Sequence, residues 1–446
     1  MCPPSNHCED KTVDKNHEHR IIRVGILAEE PLGWGSGKHF FPIILQKYTW
    51  MIHKTTYSFQ VTYIFDKDII HGRLNTSKFD VLLVPGGGVG DGQAVMKGFT
   101  LSKKIRKWKK NISTFIKNGG GYVGICGGAA LITDLKTADK KPRSFLERQY
   151  NKSLLGVSCV SSYYKSIALP IFYLFQNNHP EKIGALAYVF SFAPGETIDG
   201  VRIHTGGAPL DFQLCRDHPI FSDFPKDSER IRWWGGPALM VPEKPDRVVK
   251  VLATYTSQRQ VDDQDIRIHA WKYTGGIHGL FVAFLKALQY IKKENDTLKN
   301  VFLYTFYMAG NWKLTETIIE LNYSNKPSIT AEVFPNNNEG RILLCTAHPE
   351  YMVWRDGHIT EMKKTDFNCI GTGLFKWEDI GPLSQNAEDE LTHTWWMIRR
   401  FVAWAAKVPD NDLPPIQKEK LRDEEKSILL TNVFWDGSFH NQIENI

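Results

Sequence analysis

Four short apolar runs, two of them stopping at glycine clusters, constrain the fold of this chain more than any other feature. They are IIRVGIL (Ile21–Leu27), SFQVTYIF (Ser58–Phe65), FDVLLVPGGG (Phe79–Gly88) and YVGIC (Tyr122–Cys126). A run that stays apolar without alternating suits a strand buried on both faces, as parallel strands are. Between the third and fourth runs, apolar residues recur at helical spacing from about Leu101 to Lys117. Asn118 and Gly119 follow as a C-terminal cap. The segment AALITDL opens another helix directly behind the fourth run. Strand and helix alternating in this way predict an α/β fold, an open and mostly parallel sheet flanked by helices. Ligands of such sheets sit beyond the carboxyl ends of the strands. The clusters Gly86–Gly88 and Gly127–Gly128 both fall at such ends, so they are expected near each other.

From about 140 to 230 the pattern loosens into aromatic runs and turn signals. We read this part as an elaboration of the sheet edge in which short β strands fit. The α/β pattern returns at DRVVKVLATY (Asp246–Tyr255) and GRILLCTAHPE (Gly340–Glu350), and a long helix is predicted over Glu390–Val408. The Trp395-Trp396 pair on that helix suits either a core or an interface. The expected organisation is a polar, disordered segment 1–20, a single domain over 21–408 and a polar, partly ordered tail over 409–446. The 42% hydrophobic content supports one large core.

A net charge of +6 is mild for 446 residues, and no nucleic-acid partner follows from it. The basic run Lys103–Lys110 reads as the wet face of an amphipathic helix, because Ile105, Trp108, Ile112 and Phe115 share the other face. The apolar stretches Ile167–Phe175 and Leu280–Ile291 fall short of the ~20 residues a membrane helix needs. Seven cysteines, an odd and scattered set, do not form a disulfide framework. The expectation is a soluble cytoplasmic protein with no membrane partner. His7, Cys8, His17 and His19 match no zinc spacing, and no Gly-Lys-Ser/Thr follows Gly86–Gly88, so neither a metal nor a cofactor is expected.

Cys126 is the candidate for chemistry. It stands between a strand and a helix with glycines on both sides, a bend that presents a side chain instead of packing it. A thiol attacks only as thiolate, and its usual partner is a histidine oriented by a carboxylate. Two tripeptides offer that pair, His179-Pro180-Glu181 and His348-Pro349-Glu350. The second follows the apolar strand RILLCTA and would reach the sheet edge that carries Cys126; the first follows Asn177 and Asn178, a loop signal. His348 and Glu350 are therefore preferred. The amides of Gly127 and of Gly87 or Gly88 are the candidate donors to an oxyanion. Gly235 and Gly236, within Trp233–Pro237, suit a pocket wall or a packed turn equally. The plainer reading of Cys126 is a small buried hydrophobe.

These motifs resemble the class I glutamine amidotransferase-like, flavodoxin-like fold. Within it they are most similar to the amino-terminal domain family of some biotin-protein ligases. That family shows an FD-apolar-PGG run, GG-Y-GICAGA, GGP, VLATY and HPE. Here the counterparts are Phe79–Gly88, Gly120–Ala129, Gly235–Pro237, Val251–Tyr255 and His348–Glu350, so the likeness spans about Ile21 to Val408. The resemblance implies a triad with Cys126 as nucleophile, His348 as base and Glu350 orienting the imidazole. It implies an amide or amino-acid-like substrate, with an acceptor protein or partner subunit among the possible partners. Glutaminases of the superfamily carry glutamine where this chain has Ala130, so the resemblance does not extend to glutamine as substrate. No synthetase domain or Gly-Arg-rich loop is present, so biotin ligation is not expected. Two other readings stay open: a metabolite-binding or regulatory module without turnover, and thiol chemistry on aldehydes or oxidants assisted by Glu29 or Glu30.

Overall fold

The computed structural model describes residues 18–28, 36–86, 103–136, 154–163, 187–191, 197–198, 201–202, 208–233, 236–256, 266–273, 276–293, 301, 312–321, 323–335, 340–350, 359–362, 375–377 and 387–425. Its centre is a ten-stranded sheet. In chain order the strands are β1 (Glu18–Leu27), β2 (Thr49–Ile52), β3 (Thr55–Ile64), β4 (Val81–Val84), β5 (Gly121–Ile125), β6 (Ala208–Leu214), β7 (Ser228–Trp233), β8 (Val248–Tyr255), β9 (Pro327–Val333) and β10 (Arg341–Cys345). Their spatial order is β7-β6-β8-β9-β10-β5-β4-β1-β3-β2.

Helices flank both faces: α1 (Ser36–Gln46) and α5 (Ala387–Ala405) on one, α2 (Lys103–Lys117) and α3 (Gly127–Ile132) on the other. A further long helix is α4 (Gly276–Lys293), and a short helical turn spans Asp66–Ile70. Alternate residues of the central strands separate two cores. Val81, Leu83, Val123, Ile125 and Leu343 face α1 and α5; Leu82, Val84, Tyr122, Ile342 and Leu344 face α2 and α3. On α2, Trp108, Ile112, Phe115 and Ile116 are buried while Lys103, Lys104, Arg106, Lys107 and Lys110 are exposed, as helical spacing predicts; Lys109 departs from the wet face, half-buried and donating to the Leu154 carbonyl at 2.7 Å. Trp395 and Trp396 belong to the core, so the α5 pair is not an interface. On α4, Ile277, Phe281 and Leu285 are exposed. Among the described residues, no helix is long and apolar enough to cross a membrane.

The α/β sheet flanked by helices is present and parallel through its middle, but the sheet as a whole is mixed. Strands β3, β1, β4, β5 and β10 run parallel to their neighbours, but β9, β8, β6 and β7 each pair antiparallel, as does β2 with β3. The reason lies in the connections. A parallel crossover needs a dozen or more residues, and the link between β9 and β10 is only residues 334–340. The apolar run VLATY, read as a return of the α/β pattern, is thus a central antiparallel strand.

The described residues run past 21–408 at both ends, at the second into the part expected to be partly ordered. Strand β1 begins at Glu18. Beyond Val408, residues 409–425 lie against the domain, with Leu413, Glu419, Leu421 and Glu425 buried. Near this region His218 accepts the Ile220 amide on Nδ1 at 3.3 Å and meets Trp404 edge-on at 5.7 Å. Burial pushes its imidazole down to about 4, outweighing the opposing pull of Asp410. The unfolded chain therefore binds a proton at pH values where the folded protein keeps His218 neutral. Stability is expected to fall as pH drops from about 6.5 toward 4. Thermal melts of His218→Gln against the native chain at pH 7 and pH 5 would check this. The pH 5 loss should shrink in the variant, and an unchanged loss would count against the assignment.

Candidate active site

Strands β4, β5 and β10 end side by side, and each delivers one part of the site. Cys126 follows β5 and immediately precedes α3, with φ 49° and ψ −109°. A non-glycine residue in such a conformation is strained and persists only where the surroundings hold it. Here its amide donates to the Cys345 carbonyl at 2.7 Å, and its carbonyl accepts the Ala130 amide at 3.1 Å. The bend lifts the thiol out of the sheet plane toward the end of β10.

Past β10, the chain turns through Thr346 and Ala347 to His348, which is 2% exposed, and Glu350, which is 0% exposed. His348 Nδ1 lies 2.8 Å from Glu350 Oε1. The carboxylate can only accept, so Nδ1–H donates, and the second ring nitrogen is left for the Cys126 sulfur, with which the imidazole also hydrogen-bonds. Burial alone would lower the His348 pKa. The charge of the adjacent Cys126 sulfur, the Glu350 carboxylate and the hydrogen bonds to both outweigh it and push the imidazole up to about 10. Among the described residues, Glu350 Oε2 is buried with no hydrogen-bond partner.

Gly86, just after β4, completes the contact. A Cβ built there would lie 2.4 Å from His348 Cε1 and 2.8 Å from Cys126 Cβ, so only glycine fits between the two side chains. Gly127 and Gly128 form the first turn of α3, where backbone N–H groups have no intrahelical acceptor. Of the remaining sequence candidates, Gly236 lies against the Thr346 carbonyl, 1.8 Å from where its Cβ would be. Gly87, Gly88, Gly235, Glu29, Glu30 and the alternative triad residues His179 and Glu181 lie outside the described residues. Ala130 is buried in the apolar cluster with Leu82, Val84 and Tyr122.

Three contributors escaped the sequence reading as parts of the site. Trp395 on α5 donates Nε1–H to the Glu350 carbonyl at 3.2 Å. Tyr255 and Thr346, 2.7 Å apart through their hydroxyls, meet beneath the turn that carries His348. The only signal for Tyr255 was its place at the end of VLATY, and nothing in the sequence marked its partner.

No protein-family model matches the chain, and no curated protein matches it.

Proposed function

We propose that this protein is a cysteine-dependent amidase or amidotransferase of the class I glutamine amidotransferase-like type, acting on a C–N bond through a thioester. The observation that carries the proposal is the strained Cys126 backbone aimed at an imidazole already held by a carboxylate. Strain of this kind is retained where the surroundings over-determine it, and it clusters at reactive groups.

In the proposed cycle, Cys126 Sγ attacks the carbonyl carbon of the amide. The carbonyl π electrons move onto oxygen, which the first-turn amides of α3 would stabilise. Collapse of the tetrahedral species breaks the C–N bond, and the imidazolium of His348 gives its proton to the departing amine. The neutral imidazole then takes a proton from water, or from an acceptor amine, as that nucleophile attacks the thioester and releases Cys126. Glu350 keeps the ring in the tautomer that this exchange needs. The substrate class is a small amide or amino-acid-like compound. Glutamine is disfavoured, because the side chain at Ala130 lies in an apolar core instead of at the site.

The near-complete burial of the pair, with Cys126 only 5% exposed, favours a second reading: a module that keeps the fold and recognises a metabolite or partner without turnover. One experiment separates the two. Iodoacetamide alkylation of Cys126, mapped by peptide mass, is followed against pH in the native chain and in His348→Ala. An ordinary thiol is only about 0.3% thiolate at pH 6. A thiolate paired with imidazolium should instead react at least about tenfold faster there, even though a stabilised thiolate is a weaker nucleophile. The His348→Ala profile should revert to a rate that climbs only above pH ~8. A native profile identical to that of the variant would leave the catalytic reading without support and favour the binding module.

A further inference from the structure

We propose that Tyr255 is a positioning residue that sets the Cys126–His348 geometry by gripping Thr346. The proposal rests on the catalytic reading of that pair.

Tyr255 ends β8, two strands away from β10, yet its hydroxyl reaches Thr346 Oγ1 at 2.7 Å and the Pro237 carbonyl at 3.1 Å. Pro237 O can only accept, so a fully satisfied arrangement has Tyr255 donating to Pro237 and accepting the Thr346 hydroxyl proton. The phenol is buried, and burial raises its pKa well above the ordinary value, so it remains a neutral donor. The ring is wedged 5.0 Å from both Phe212 and Tyr323. Tyr323 meets Trp233 edge-on at 5.8 Å, and Trp233 Nε1–H donates to the Gly236 carbonyl at 2.9 Å. A closed ring of aromatic contacts and hydrogen bonds therefore ties Tyr255 to the Gly236-Pro237 turn.

Thr346 is held from every side that this ring offers. Its amide donates to Ser328 O at 3.0 Å, its hydroxyl meets Tyr255, and its carbonyl is covered by Gly236 with no room for a Cβ. Directly before it, the Cys345 carbonyl accepts the Cys126 amide; two residues after it stands His348. Displacing Thr346 thus moves both partners at once, and shifts of about 1 Å at a reacting pair can cost ~100-fold. Gly236 and Pro237, and the end of VLATY, thus act together on the turn that leads to His348.

The test compares Tyr255→Phe, Thr346→Val, the double variant and Thr346→Ser. Two readouts are used: the pH profile of Cys126 alkylation, and the low-field NMR proton of the His348 Nδ1–H bond, assigned with His348→Gln. Tyr255→Phe keeps the ring packing and loses only the hydroxyl. It is expected to slow alkylation at pH 6 by roughly three- to tenfold and to shift the His348 proton. Thr346→Val should do the same, and the double variant no worse than Tyr255→Phe alone, because Thr346→Val removes a bond that Tyr255→Phe has already broken. Thr346→Ser should behave as the native chain. A Tyr255→Phe protein that melts earlier while both readouts stay native would overturn the proposal; should it fail to fold, Thr346→Val decides the question alone. If the native chain alkylates as an ordinary thiol, the catalytic reading falls. The His348 proton still decides whether Tyr255 positions that ring: a shift upholds it and no shift ends it.

Discussion

Gly86→Ala is expected to slow Cys126 alkylation at pH 6 by about 100-fold while the protein stays folded. The added methyl would sit 2.4 Å from His348 Cε1 and 2.8 Å from Cys126 Cβ, both well inside contact distance. Neither neighbour can yield cheaply. The imidazole is buried and bonded to Glu350, and the Cys126 backbone is pinned by Cys345 and Ala130. The outcome is separation of the thiol from the imidazole, and misplacement by about 1 Å is enough for a loss of that size. Overpacking of this kind costs roughly 1–3 kcal/mol, which a domain of ordinary stability survives. Alkylation kinetics paired with a thermal melt would measure both effects. A native alkylation rate in the folded variant would mean that the two side chains do not face each other across Gly86.

The second large effect concerns a part of the chain that reads as a tail. Ending the protein after Val408 is expected to prevent stable folding. Residues 409–425 supply acceptors that buried donors of the domain need. Tyr48 donates to the Pro415 carbonyl at 2.8 Å, Trp50 to Asp412 O at 2.8 Å, Tyr57 to Asp412 Oδ2 at 2.6 Å and Trp396 to Pro414 O at 2.9 Å. Arg399 and Arg400 are 3% and 2% exposed. Arg399 pairs with Glu419, and Arg400 donates to Pro414 O at 2.8 Å and pairs with Asp223. Removing one partner of a buried ion pair costs roughly 3–5 kcal/mol, against a total stability of about 5–15 kcal/mol. Glu419→Ala alone should therefore lower the denaturant midpoint markedly, and the deletion should lower it further. A chain of residues 1–408 that melts within a few degrees of the full protein would refute this account.

Much of the centre was readable because its signals are local. Apolar-rich runs located β1, β3, β4, β5 and β10, and the lysines of α2 other than the half-buried Lys109 sorted to the exposed face as their spacing required. Cys126 and His348 were legible because each stands just past such a run, and adjacent parallel strands bring their carboxyl ends together. The oxyanion candidates were less well placed by sequence. Gly86, the glycine that separates the two side chains, was read only as one member of the Gly86–Gly88 cluster, because a triple glycine does not say which member a neighbour will approach; Gly87 and Gly88 lie outside the described residues.

The sequence by itself determined where the apolar strands lie, where glycine permits close approach, and which cysteine and histidine stand at strand ends. Those properties depend on residues within a few positions of one another. Only the tertiary structure decided the antiparallel half of the sheet, the burial of Trp395 and Trp396, the docking of residues 409–425 and the grip of Tyr255 on Thr346. Tyr255 and Thr346 are 91 residues apart, and Tyr48 and Pro415 are 367. Composition marks a hydroxyl or a carbonyl as able to bond; the folded chain alone selects the partner, because burial makes an unpaired donor too costly to leave.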